Sequence, residues 1–336
     1  MEAIHPARPA PQAAFDSVIL GGQSLLVRFE TLRWKLPVTS MHGYGANLVR
    51  VPGTASVLST LPGGKLYQCD AFTGSVRVGK AVSGDLRAVV FDGDSGHQDG
   101  AWALATFGLC RISLASLSRT SANLRKGLGT YQGRMVALSG DALGISGFLG
   151  RSMKLVSRVD GAVLKTVRMG APALVYRLPD GRQRGWSLYH AVVSDLDVAA
   201  ARCVARHSMA HGAAPALVGD EVVALCGVRE DDARAPNVWD VKPTQLVAFD
   251  AYTLQPLRQA AIGADAVEVL GADSAGRIVV GRRGGVTVHR PDTFAVEGTY
   301  EHHAPLGDAL LLGEHDSVVL RGPVTAGNGL TVVRWS

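Results

Sequence analysis

The chain has 336 residues, of which 47% are apolar, 19% charged and 6% aromatic, with 40 glycines and a formal charge of +5. This apolar fraction excludes a disordered chain, and no run reaches the ~18–20 consecutive apolar residues that a membrane-spanning helix needs. The 34 basic and 29 acidic side chains are spread without a Lys/Arg block, which argues against nucleic acid as a partner.

From the N-terminus, Met1–Pro11 lacks the apolar core of a secretory signal, so a cytoplasmic protein is expected. Residues 1–14 read as a tail, and 15–336 as one domain. Ser17–Leu20 and Ser24–Phe29 look like short strands, and Leu32–Val38 is a polar run with no inner strand before it. A unit then recurs: an apolar run, a turn, a second run ending near Asp or an aromatic, a tight turn, and a more polar run. Its clearest copies are Leu66–Val78, Lys154–Val167, Gln245–Arg258 and Val288–Tyr300; Leu26–Leu36, Arg111–Leu124 and Val192–Ala205 are weaker. The polar runs start at Leu32, Gly74, Leu117, Gly161, Ala199, Leu254 and Phe294. That spacing of about 40–45 residues matches a four-stranded propeller blade. One longer interval is explained by an insertion at Arg229–Lys242.

An inner strand precedes each complete unit: Ala46–Val51, Leu86–Phe91, Arg134–Ser139, Ala173–Arg177, Pro215–Val218, Ala266–Leu270 and Ala309–Leu312. The last unit has three strands of its own, Ala309–Leu312, Ser317–Leu320 and Leu330–Trp335. The pattern therefore predicts an all-β, seven-bladed β-propeller of four-stranded antiparallel blades. An N-terminal strand completes the C-terminal blade and closes the ring, which removes exposed sheet edges. Cys69, Cys110, Cys203 and Cys226 have no CxxC spacing and sit in or beside apolar runs, so they are expected to be reduced.

The copies LVAFDAYTLQPLR and LVSRVDGAVLKTV resemble repeats of the quinoprotein-like and WD-like β-propeller superfamily, over nearly the whole chain from about residue 15 to 336. The Trp-Asp dipeptide occurs once, at Trp239–Asp240, inside the insertion. The resemblance implies a fold; no cofactor-contacting residues carry over from it.

In such a ring, links between blades and the turns joining second to third strands open on one face. That sorting gathers His42, Tyr44, His207, His211, His302 and His303 in inter-blade links, and Trp239, Arg151, Arg282 and Arg283 in turns on the same side. His42, His211 and His303 are the candidate catalytic or metal-binding set, because imidazoles from three blades can converge on one divalent ion or shuttle a proton. Tyr44, Trp239, Arg282 and Arg283 are candidate ligand contacts, the guanidinium pair suiting phosphate or carboxylate. Asp92–Asp99 has DxDxG spacing but lacks the closing Glu of a calcium loop, and falls on the opposite face as a solvated turn. GxSxG and P-loop motifs are absent.

Two functions follow. In the first, the mouth binds or acts on a small polar or anionic molecule, by a metal-assisted lyase, isomerase or hydrolase step or as an accessory protein. Resemblance adds that such propellers occur in bacterial secondary-metabolite pathways. In the second, a non-catalytic WD-like scaffold docks a protein partner. A membrane partner is not expected in either.

Overall fold

A computed structural model describes residues 29–35, 48–60, 62–82, 84–92, 100–120, 128, 133–147, 152–169, 172–187, 192–208, 215–229, 241–301, 308–321 and 329–336. They form seven antiparallel sheets of four strands each. Blade 1 runs through Val49–Arg50, Ser56–Thr60, Lys65–Asp70 and Val76–Ala81. Blade 2 comprises Leu86–Phe91, Gly100–Ala105, Gly108–Ser113 and Ser118–Arg119. Arg134–Leu138, Ala142–Ser146, Met153–Ser157 and Val163–Val167 make blade 3. Blade 4 follows with Pro172–Arg177, Gln183–Ser187, Val192–Asp197 and Arg202–Ser208. Blade 5 uses Ala216–Val218, Glu221–Arg229, Val241–Asp250 and Pro256–Ala261. Blade 6 has Ala266–Ala272, Ile278–Arg282, Gly285–His289 and Val296–Glu301. In blade 7, Asp308–Leu312, Ser317–Arg321 and Gly329–Trp335 are joined by Phe29–Lys35.

The first strands of blades 2 to 7 pack on one another in succession around an axis, blade 7's first strand also meets that of blade 1, and blades 1 and 2 share an apolar cluster. The molecule is a seven-bladed β-propeller. Phe29 lies opposite Trp335 and Lys35 opposite Gly329, so the N-terminal strand closes the ring. The strand starts at Phe29, three residues before the expected Leu32, and the Phe29 ring packs at 5.9 Å from Tyr300 and 6.2 Å from Trp335; residues 36–38 of the expected run lie outside the described residues. Ser17–Leu20, and all of Ser24–Phe29 except Phe29, lie outside the described residues. No helix among the described residues is long and apolar enough to cross a membrane.

The hydrophobic core is divided among seven wedges, one between each pair of neighbouring blades. Successive residues of a central strand serve opposite wedges, as strand geometry requires. Val57 enters the blade 7–1 wedge and Leu58 the blade 1–2 wedge, while Val279 and Val280 divide between blades 7 and 5. This explains why the inner runs are continuously apolar: their sheets are buried on both faces.

The turn between third and fourth strands is the structural origin of the repeat. Its last residue is left-handed in six blades: Gly74, Leu117, Gly161, Ala201, Leu254 and Phe294 have φ of 67°, 45°, 73°, 50°, 62° and 58°. Five of these are polar-run starts read from the sequence; in blade 4 the position is Ala201 rather than Ala199. Four residues earlier sits Asp70 or Asp250, whose Oδ1 accepts from the backbone N–H groups two and three residues on and from the Thr73 or Thr253 hydroxyl. Ser157 accepts from Val159 and Asp160 in the same way. These are Asx- and ST-type turns, in which a short polar side chain replaces a backbone acceptor. Leu117 and Phe294 accept an unfavourable φ while burying their side chains to 2% and 4% exposure.

Polar locks join neighbouring blades on the face formed by these turns. The Trp102 indole N–H donates to the Arg158 carbonyl at 2.9 Å, and Trp335 Nε1 donates to Asp273 Oδ2 at 2.9 Å. Trp186 Nε1 donates to the Tyr176 hydroxyl, which donates to the Ala251 carbonyl at 2.7 Å. Arg184 forms a bidentate pair with Asp195, at 2.6 and 2.9 Å, and also donates to the Ala251 and Tyr252 carbonyls of blade 5. Near-total burial of both side chains gives this lock unusual weight.

Candidate functional site

Strand direction defines two faces. The face opposite the Asx turns carries the inter-blade links and the turns between second and third strands. His42 falls between Phe29–Lys35 and Val49–Arg50, His211 between Arg202–Ser208 and Ala216–Val218, and His303 between Val296–Glu301 and Asp308–Leu312. Trp239 falls between Glu221–Arg229 and Val241–Asp250, the position expected for the insertion. The strand ends flanking all four segments open on this one face. His42, Tyr44, His211, Trp239 and His303 themselves lie outside the described residues, as do Arg151 and His302. Among the described residues, no three His, Cys, Asp or Glu side chains come together as a metal-ligand group.

His207 is displaced from its expected link. It belongs to the outer strand of blade 4, with Nε2 at 3.6 Å from Asp195 Oδ2. The Arg282–Arg283 pair does sit on the expected turn, but its two members differ. Arg282 Nε donates to Asp265 Oδ2 at 2.8 Å and Nη1 donates to Glu301 Oε1 at 2.7 Å. Both carboxylates are at blade ends on the same face, so the Arg282 charge is already balanced by protein. Arg283 donates its backbone N–H to the Asp265 carbonyl and leaves its side chain exposed.

Asp92, the first residue of the acidic turn, is committed to structure. Its Oδ1 accepts from Arg111 Nη1 at 2.8 Å, and Arg158 approaches the same oxygen at 3.8 Å. Residues 93–99 lie outside the described residues. His289, in blade 6, is 3% exposed and fully bonded. Because the Phe294 carbonyl can only accept, Nδ1 carries the proton there at 3.0 Å, and Nε2 accepts from the Thr287 hydroxyl at 2.8 Å. Burial drives the His289 pKa below the ordinary imidazole value of 6.5, against the raising effect of its bond to Phe294. Its folded-state pKa is therefore below the unfolded one. The resulting stability is complete above about pH 6.5 and is lost as pH falls below it, while the unfolded chain takes up the proton first. His289→Gln is expected to flatten the unfolding free energy between about pH 6.5 and pH 5, measured by denaturant titration at each pH. An unchanged slope would remove His289 as its source.

Cys69, Cys110 and Cys226 are buried in the wedges, and burial raises their thiols to about 12, 11 and 12. Cys203 is half-buried at the margin of a different feature. Between the outer strands of blades 3 and 4 runs an open groove of about 550 Å³. Lys165 and Arg168 line one side, and Arg202 and Arg206 the other; among the described residues no acidic or aromatic one lines it. Arg206 donates to the Arg168 carbonyl across the groove. In sequence, both strands are ordinary polar outer runs of the repeat. The available signal was VLKTVR and RCVARH, each with two basic residues and no acid, at equivalent positions of consecutive units.

No family model and no curated protein matches the chain. Solved structures do. It is similar to the Pan2 WD40 domain of Neurospora crassa, with TM-score 0.63 and 12% identity, covering 87% of this chain and 89% of that one. A chain of the mitotic checkpoint complex matches with TM-score 0.63 and 12% identity over 99% and 98% of the two chains. Hydrazine synthase of Kuenenia stuttgartiensis matches with TM-score 0.64 and 12% identity over 89% and 97%. The likeness is one of fold. It agrees with the propeller resemblance carried by the repeats, and at these identities it extends to architecture alone.

Proposed function

We propose that the chain is a cytoplasmic propeller scaffold that docks another protein. The observation that carries this reading is the basic groove on the outer rim. Four cations converge there, and none has a carboxylate partner among the described residues. Elsewhere Arg111, Arg184, Arg258, Arg277 and Arg282 are paired with Asp or Glu. Their charge is balanced by carboxylates of the protein itself, whereas the groove offers charge to something outside it. WD40-type neighbours, one from a multi-protein checkpoint complex, support a docking role.

The second reading places a small polar or anionic ligand at the channel mouth, with His42, His211 and His303 holding a divalent ion for lyase, isomerase or hydrolase chemistry. It is favoured by the common face of the strand ends flanking those segments. Metal analysis of untagged protein, with complementation of a deletion strain by His42→Ala and His303→Ala, separates the two. The scaffold reading expects no stoichiometric metal and full complementation by both variants. Bound metal with loss of complementation by folded variants would replace it with the second.

A further inference from the structure

We propose that the groove between the outer strands of blades 3 and 4 is a docking site for an extended acidic segment of a partner protein. This rests on the scaffold reading and names the site and the chemistry of what it takes. Among the described residues, the outer strands Val163–Val167 and Arg202–Ser208 each pair on one side only, with Met153–Ser157 and Val192–Asp197. Their other edges carry backbone N–H and C=O groups outward, which is the arrangement that accepts an added strand. The two strands flank the same groove, so a segment added along either edge lies beside the basic lining residues.

The charge is one-sided. Lys165, Arg168, Arg202 and Arg206 belong to the lining, and among the described residues no lining residue is acidic. Asp197 stands opposite Arg202 across the strand pair without an ion pair between them, and four like charges lining one groove repel one another until an anion arrives. Arg206 is anchored at one end by its bond to the Arg168 carbonyl, which holds its guanidinium over the groove. Val204, 38% exposed, lies in the groove between Arg202 and Arg206. Apolar surface between cations suits a peptide in which carboxylates alternate with apolar side chains, since strand side chains alternate with period two.

Length and composition select a peptide over nucleic acid. Strands of five and seven residues span about 17–23 Å at ~3.3 Å per residue. That is the reach of a short peptide strand. Single-stranded nucleic acid is usually held by aromatic platforms interleaved with cations, and among the described residues no aromatic one lines this groove.

The test uses a fluorescein-labelled peptide of about eight residues, alternating Glu and Val, with binding to the full chain followed by fluorescence anisotropy. Saturable binding that weakens with salt is expected. Lys165→Glu with Arg202→Glu is expected to raise Kd by at least about tenfold. The milder pair Lys165→Gln with Arg202→Gln is expected to give an intermediate loss, and guards against misfolding of the reversed variant. Lys65→Glu with Lys80→Glu makes the same charge change on exposed positions of blade 1, and is expected to shift Kd by less than about twofold. A Gln–Val peptide is expected not to bind. The proposal is overturned if the groove variants bind as tightly as the wild type, or if the blade 1 variant loses as much affinity. It also falls if a thymidine oligonucleotide of equal charge competes as well as the peptide, or if millimolar inorganic phosphate displaces it. Each of those results leaves the scaffold reading to the metal and complementation assay.

Discussion

Removal of residues 1–35 is expected to turn a cooperatively melting ring into an open, self-associating one. Phe29–Lys35 is the fourth strand of blade 7 and pairs with Gly329–Trp335 along its whole length. Without it, the backbone of Gly329–Trp335 becomes an unpaired edge, and the Phe29 ring leaves its place between Tyr300 and Trp335. Exposed edges of this kind template pairing with other chains. The loss is expected to consume most of the ~5–15 kcal/mol that stabilises a typical domain. Thermal unfolding by circular dichroism and light scattering would read it as a lower, broader transition with aggregation. A rearranged chain supplies the complementary result. Phe29 is opposite Trp335, so a turn of about two residues after Ser336 would return FETLRWK to its native register. That variant is expected to recover the sharp transition. If the shortened chain melts like the intact one, the strand does not hold the ring closed.

Arg184→Met is expected to cost about 3–5 kcal/mol, because it strands the Asp195 carboxylate in the interior. The two side chains are 6% and 3% exposed. Arg182 and His207 stand 3.6 Å from the same carboxylate and cannot replace a bidentate fork. The change also removes two bonds to blade 5, at the Ala251 and Tyr252 carbonyls. At ~2–4 °C per kcal/mol, the melting temperature should fall by roughly 10 °C. Adding Asp195→Leu should restore part of the loss by removing the buried charge. The pH dependence gives a second signature. Burial opposes ionisation of Asp195, but its bonds and Coulomb attraction to Arg184 outweigh that and hold its pKa below the ordinary 3.8. In the wild type this contribution is complete above about pH 3.8 and disappears as pH falls below it. In the variant the carboxyl takes up a proton at higher pH, so the stability difference should narrow on acidification. A difference that stays constant between neutral and acidic pH would show that packing, not charge, makes Arg184 matter.

The architecture was legible because two independent signals agree at each blade. The inner strand of blade 2 was placed at Leu86–Phe91, as found, and those of blades 3 to 7 within two residues at either end. Apolar runs bounded by polar turns survive in the sequence because each sheet must fill two wedges. The spacing signal came from one backbone conformation, the left-handed residue closing each Asx-type turn, which Gly, Ala, Leu and Phe all occupy here. A residue-identity consensus would have missed it; the position in the pattern did not. In blade 4 the reading slipped from Ala201 to Ala199 because Asp197-Val-Ala-Ala-Ala offers no distinguishing side chain.

The candidate site was less legible, for physical reasons. Which charged groups are already neutralised depends on partners remote in sequence, as with Arg282 and Asp265 or Arg258 and Glu221. His207 looked like part of a polar link, yet its strand continues through Ser208 by pairing with Val192 and Val193. The basic groove was invisible because its four cations come from two blades, and each strand alone resembles any solvated outer strand. Only the ring sets Lys165 and Arg168 beside Arg202 and Arg206.

Ring closure by strands from opposite ends also dictates the order in which the molecule can be completed on the ribosome. Each wedge between two finished blades can form soon after the second has emerged. Phe29–Lys35, however, waits while roughly 300 further residues are translated before its partner Gly329–Trp335 exists. Throughout that interval a nascent chain carries an unclaimed strand beside the exposed flank of blade 1. Protection of that segment is therefore a requirement on chaperones or on translation speed, and a stalled ribosome just short of Gly329 would hold the protein in its most adhesive form.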